Sequence, residues 1–192
     1  MLLHIKNMVC DRCILIVRQQ LDHLGLTVEA ISLGKVTVSP EPDPLKLQEV
    51  AATLQVLGFE LIDKEKNQLI EQIRTQVIEI VHYSDLSAVQ QSLMTIIAEK
   101  LNKDYVFLSR LFSDAEGITI EKYIIQQKVE KVKELLEYGE LNLNEIAFQM
   151  GYSSSAHLST QFKAVTGMPP SKYRQQPAGD RKPLDQVSST KA

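Results

Sequence analysis

The chain has 192 residues, 44% of them hydrophobic and 23% charged, with a formal net charge of −3. That is apolar material for one large core or two small ones, and the slightly acidic total argues against a protein that coats DNA non-specifically. No run approaches the roughly 20 apolar residues needed to span a bilayer, and His4, Lys6 and Asn7 interrupt the opening residues, so the expected setting is the cytoplasm, without membrane contact, where thiols stay reduced.

In chain order, "LLHIKNM" is a β-rich run. Behind it Ile14, Val17, Leu21 and Leu24 make a helical apolar stripe. "TVEAISL" and "KVTVS" follow as two further strands joined by a tight turn at Gly34-Lys35. "PEPDP" leads into a second helix, with Asp43 as its cap ahead of Pro44. Thirty-three residues after the first stripe the pattern returns as Leu47, Val50, Leu54 and Leu57. Both stripes end in Leu-Gly, where glycine suits the left-handed residue that stops a helix. "FELID" supplies a last strand. Strand-helix-strand twice over is a ferredoxin-like βαββαβ arrangement, assigned to residues 1–66.

Cys10 and Cys13 lie between the first strand and the first helix. In a reducing compartment such a pair reads as metal-binding or redox-active. Cys13 falls in the first helical turn, where free amide groups favour a thiolate. Closed zinc sites want four N or S ligands. His23 belongs at the far end of the helix and His4 a few residues back on the strand, so one chain offers two sulfurs near the loop. Soft Cu(I) fits two thiolates better, while two chains pooling four would accept zinc or another soft metal. Redox cycling of the pair, and a purely structural use, stand as alternatives. "NMVCDRC", with a strand before it and a helix after, resembles the metal-binding loop of heavy-metal-associated domains over residues 2 to about 64. The resemblance implies Cys10 and Cys13 as ligands, with Met8 as buried support and Asn7 where that family commonly has glycine.

"NQLIEQIRTQVIEIVHY" (67–83) carries a heptad-like seam in Ile70, Ile73, Val77 and Ile80. Leu69, Ile78 and Val81 widen it, which favours a helix packed on a core over a dimerising coiled coil. A second duplication then runs at an offset of fifty: "LSRLFSDAEGITIEKY" (108–123) aligns without gaps on "LSTQFKAVTGMPPSKY" (158–173). Upstream, Ile97-Ala98 matches Ile146-Ala147 at forty-nine. Each copy reads as a helix, a break at Asn102 or Gly151, and a second helix. "TIEKYIIQQKVEKVKELLEYG" is the long helix between them. This is an all-α domain over 67–176 with two helix-turn-helix units.

In such units the second helix enters the major groove. With Leu108 and Phe112 inward, Val106, Ser109 and Arg110 face out, and the Arg110 guanidinium can bridge two guanine acceptors. With Leu158 and Phe162 inward, Ser155, His157, Ser159 and Thr160 are the second reading set. Ser153 and Ser154 offer a cap and a phosphate seat, and Lys163, Lys172 and Arg174 are candidate phosphate contacts. Residues from about 70 to 174 resemble the AraC-type DNA-binding domain, most closely in "IAFQMGYSSSAHLSTQFKAVTGMPPSKYR". That resemblance implies a bacterial transcription regulator binding double-stranded DNA as a homodimer, with RNA polymerase as a further partner. Thr160 stands where many members carry a long basic side chain. The tail from Pro177 (177–192) is expected to be disordered.

No Ser/His/Asp set, glycine-rich phosphate loop or carboxylate pair points to an enzyme. The readings that remain are a metal-responsive regulator, a thiol redox-sensing regulator, or a metal-trafficking protein whose helical half docks a partner.

Overall fold

The computed structural model describes residues 1–89, 91–176 and 181–187. It divides into two compact units, Met1–Thr75 and Gln76–Ala192. No helix among the described residues is long and apolar enough to cross a membrane.

The first unit runs β1 (Leu2–Lys6), α1 (Asp11–His23), β2 (Thr27–Ser32), β3 (Lys35–Ser39), α2 (Pro44–Val56) and β4 (Glu60–Leu61). Its four strands pair antiparallel in the order β2-β3-β1-β4. Alternation decides which face is covered: Leu3 and Ile5 of β1 and Val36 and Val38 of β3 are buried, together with Val17 and Leu21 of α1 and Val50 and Leu54 of α2. The two helix ends are copies of each other. Leu26 N–H reaches Leu21 O and Phe59 N–H reaches Leu54 O, around Gly25 (φ +77°) and Gly58 (φ +86°). Asp43 caps α2 by accepting from Lys46 N–H at 2.8 Å, with Pro44 in the first turn.

Two details differ from the sequence reading. The β2–β3 turn is Leu33-Gly34, one residue earlier than expected, because Gly34 takes the left-handed conformation (φ +75°) and Lys35 already pairs with Ser32 and His4. "FELID" yields only a two-residue strand, since the chain leaves β1 after Ile62 N–H has bonded His4 O at 2.9 Å.

α3 (Glu65–Tyr83) begins in the first unit and ends in the second. The division at Thr75 falls nine residues later than the 66/67 boundary expected from sequence. The reason is local. Gln68 donates to Ile62 O and Glu71 accepts from Asn7 N–H, which holds the first half of α3 on the strands that precede it. Ile70, Ile73, Val77, Ile78, Ile80 and Val81 are all buried within the single chain, as a packed helix requires.

The second unit continues through a short 3₁₀ turn (Leu86–Ala88), α4 (Leu93–Leu101), α5 (Tyr105–Glu116), α6 (Ile120–Tyr138), α7 (Leu143–Gln149), α8 (Ser155–Thr166) and α9 (Pro170–Tyr173). The fifty-residue echo is structural. Leu108 and Leu158 are fully buried, and so are Phe112 and Phe162 to within 1%. The Phe112–Tyr123 and Phe162–Tyr173 ring centroids are both 5.5 Å apart. Gly117 and Gly167 end α5 and α8 in the same left-handed conformation.

The C-terminal tail differs from the expected disorder over residues 181–187. Val187 is buried, Leu184 O accepts from Gln127 at 3.0 Å, Lys182 N–H donates to Glu130 at 3.1 Å, and Arg181 pairs with Glu134 at 2.6 Å. The apolar Val187 and the carboxylates of α6 give this stretch partners that its turn-rich composition concealed. Residues 177–180 and 188–192 lie outside the described residues.

Candidate nucleic-acid interface and thiol pair

Both reading helices start on a side-chain cap. Asp104 accepts from Phe107 N–H at 3.0 Å to open α5, and Ser154 accepts from His157 N–H at 3.1 Å to open α8. The turns before them use different residues for one conformation: Asn102 (φ +48°) after α4 and Gly151 (φ +65°) after α7. At Gly151 a Cβ would stand 2.9 Å from Leu86 O, so glycine is needed there for room as well as for φ.

On α5 the predicted set is where the spacing put it. Val106 is 58% exposed, Arg110 is exposed and Ser109 is half-buried. Phe107, 50% exposed, shares this surface, while Tyr105, 43% exposed, stands about 140° from Arg110 around the helix. The Tyr105 hydroxyl donates to Glu121 Oε1 at 2.7 Å, a bond to a carboxylate that raises its pKa and leaves the ring, not the hydroxyl, available.

On α8, His157 and Thr160 are exposed and Ser155 and Ser159 half-buried. Ser159 Oγ donates to Ser155 O at 2.8 Å and Thr160 Oγ1 to Ala156 O at 3.0 Å. With those protons turned into the helix, both hydroxyls present lone pairs, which suits base amino groups as partners. His157 sits edge-on to Tyr152 at 5.4 Å and shares a 3.1 Å hydrogen bond with Ser153. Of the candidate phosphate contacts, Lys163 and Lys172 are exposed, Ser154 is engaged as the cap, and Arg174 donates to Leu141 O at 2.8 Å. Arg174 therefore ties the segment after α8 to the loop before α7.

Residue-by-residue use of the offset would have added Tyr105 and Phe107, the counterparts of Ser155 and His157, and Ala156, the exposed counterpart of Val106. Lys128 carried no sequence signal. From α6 it donates to Met150 O at 2.9 Å and lies 5.0 Å from the Tyr152 ring centroid. Tyr152 in turn donates to Gln161 of α8 at 2.7 Å, so the pair holds the second turn to its reading helix. Burial lowers the Lys128 pKa and raises that of Tyr152.

In the first unit Cys10 is the N-cap of α1, and its carbonyl accepts from Cys13 N–H and Ile14 N–H. The two sulfurs are 3.4 Å apart and half-buried. Two bonds of about 2.3 Å across that gap would close an angle of roughly 95° at a shared ion. A near-linear two-coordinate ion therefore needs the sulfurs to move apart to about 4.5 Å, while the present separation suits two ligands of an ion that has others. The helix start was expected to favour the Cys13 thiolate. Burial outweighs it and raises the thiol's pKa, although a backbone hydrogen bond involving Val9 works the other way. His4 joins no metal-sized cluster with the thiols, and no group of three or more His, Cys, Asp or Glu ligands occurs among the described residues. Met8 is buried in the core. Asn7 takes the left-handed conformation (φ +70°) itself, with Nδ2 donating to Gly58 O at 2.9 Å.

Residues 97–176 match a family model described as a helix-turn-helix domain. The chain is 31% identical to the Msm operon regulatory protein of Streptococcus mutans over 113 residues, 59% of this chain and 40% of that protein. It is 26% identical to the probable transcriptional regulator LumQ of Photobacterium leiognathi over 140 residues, 69% and 52% of the two. It therefore spans about half or less of these relatives. Among solved structures, the C-terminal domain of AraT, a response regulator from Geobacillus stearothermophilus, is similar at a TM-score of 0.51 and 27% identity, covering 62% of this chain and 94% of that one. Each of these relatives is described as a regulator. Residues 97–176 thus match a helix-turn-helix domain, within a chain similar over part of its length to transcription regulators.

Proposed function

We propose that the protein is a cytoplasmic, sequence-specific transcription regulator that grips double-stranded DNA with α5 and α8. The observation that carries this reading is the equivalence of the two helix-turn-helix units: a side-chain N-cap and a C-terminal glycine at matching positions, the same buried pair, and reading faces exposed at matching positions. Arg110 reads a guanine in one groove turn, and the Ser155, His157, Ser159 and Thr160 face reads the next. Lys163 and Lys172 hold phosphate. The working form is a homodimer that meets RNA polymerase.

The first unit is a ferredoxin-like, heavy-metal-associated-like input domain, a reading supported by its strand order and by the position of the thiols at a helix start. Cys10 and Cys13 take a soft ion, Cu(I) before zinc, and the bound ion changes the affinity for DNA by roughly 5- to 150-fold. A second reading is favoured by the 3.4 Å sulfur separation: closure to a disulfide, with redox state as the signal.

Selection from a random DNA pool, with and without Cu(I), tests both levels. Enrichment of one motif is expected. Binding is then compared for the wild type and the double variant Cys10→Ser/Cys13→Ser, with Cu(I), with chelator and with a mild oxidant. Response to Cu(I) alone supports metal sensing, and response to oxidant alone transfers the role to redox. Failure of any sequence to enrich removes the regulator reading.

A further inference from the structure

Exposed apolar side chains crowd one place where a DNA-reading surface ordinarily carries polar ones: the first turn of α5. Val106 and Phe107 are 58% and 50% exposed, and Tyr105 beside them presents its ring because Glu121 occupies its hydroxyl. At 100° per residue, Val106 lies 40° and Phe107 60° from Arg110 around the helix, so all three share the outward face, opposite the buried Leu108 and Phe112. The internal duplication gives the comparison. At the same positions α8 carries Ala156 and His157, followed by hydroxyls at Ser159 and Thr160. The tip of α5 is apolar and flanked by Asp104 and Glu121, and so is poorly suited to phosphate. The part of a recognition helix that goes deepest is its N-terminal turn. On the floor of the major groove only one base edge is apolar, the 5-methyl group of thymine.

From this we infer that the first helix-turn-helix unit is a thymine-methyl reader, in which Val106 and Phe107 contact the 5-methyl groups of thymines next to the guanine taken by Arg110. The inference rests on the DNA-binding reading above and adds to it the chemistry of one half-site. Burying a methyl group is worth about fourfold in affinity. The two half-sites therefore differ in kind: the one under α5 depends on thymine methyls, and the one under α8 on amino groups that donate to hydroxyl lone pairs.

The test removes single methyl groups from the DNA. The best sequence selected by the full-length protein is resynthesised with each thymine replaced in turn by deoxyuridine, which pairs identically but lacks the methyl. Wild type is expected to lose about fourfold at one or two adjacent thymines beside the guanine that responds to Arg110→Ala, and nothing at thymines under α8. In Val106→Ala or Phe107→Ala the penalty at one of those thymines disappears, so the protein-side and DNA-side deletions are non-additive. About half of each side chain is exposed, so truncation costs only part of what a core side chain would. Melting curves of the two variants check that they are folded at the temperature of the binding experiment. An enriched sequence indifferent to every deoxyuridine, or a penalty equal in wild type and both variants, overturns the thymine assignment while DNA binding stands. A pool that never enriches overturns both.

Discussion

Glycine 151 is where a single atom matters most. Its φ of +65° costs a non-glycine residue about 1 kcal/mol, and its Cβ would also press on the Leu86 carbonyl oxygen at 2.9 Å. Gly167 has a similar φ, +80°, but open space around it. Gly167→Ala is expected to cost about 1 kcal/mol and Gly151→Ala about 2–4 kcal/mol, the excess being the forced shift of Leu86. Urea melts of the two variants check this, and equal losses would show that the Leu86 contact relaxes freely. At this scale the sequence was legible where one side chain is tied to one backbone demand. Asp43 before Pro44, Leu-Gly at two helix ends and Gly151 at a turn all sit as their chemistry requires. Hydrogen bonds made across the fold were not legible. Arg174 read as a candidate phosphate contact, and it donates to Leu141 O; Ser159 and Thr160 read as base-reading side chains, and their protons point into their own helix.

Elements were easier to read than the segments that join them. Helices α1, α2, α4, α5, α6 and α8 follow from apolar periodicity, because a stripe at three- and four-residue spacing has few other uses. Residues 181–187 carry no such period, and their place depends on partners some fifty residues away in sequence. That strap closes over α6 beside His82, whose Nε2 lies 2.9 Å from Gln127 Oε1 while Gln127 Nε2 donates to both Tyr123 and Leu184. Burial is the main cause that lowers the His82 pKa, with Lys131 and Arg181 adding to it and Gln127 and Glu134 opposing. A histidine whose folded pKa lies below its unfolded value of 6.5 gives stability that is complete above pH 6.5. That stability is lost as pH falls toward the folded pKa. Denaturant midpoints are therefore expected to drop between pH 7.5 and 5.5, and to drop less in His82→Gln. His4 is shifted the same way by burial and Lys35, so part of the pH dependence persists in that variant. Val187→Ala tests the strap itself through a loss of about 1.5–3 kcal/mol in the second unit. An unchanged midpoint there would mean the strap contributes nothing to the fold.

In the proposed function the chain joins a thiol-bearing α+β unit to a DNA-reading unit, and what would connect them is a coupling free energy between two binding events. Totals concealed this division. The net charge of −3 is spread almost evenly, seven Lys/Arg against nine Asp/Glu in residues 1–66 and fourteen against fifteen beyond, so no half advertises a polyanion partner. Internal repetition revealed it, because each duplication stays inside one unit. If Cu(I) on Cys10 and Cys13 alters DNA affinity by some factor, DNA must alter Cu(I) affinity by the same factor, since the two binding energies close a cycle. Competition of the protein against a Cu(I) chelator, with and without a saturating selected duplex, measures one side. DNA titration with and without Cu(I) measures the other. Equal factors of roughly 5 to 150 are expected, and Cys10→Ser/Cys13→Ser should bring both to one. A scrambled duplex controls for copper held by the DNA itself. Factors of one in the wild type would disconnect the thiols from DNA and leave metal trafficking or redox chemistry as their work.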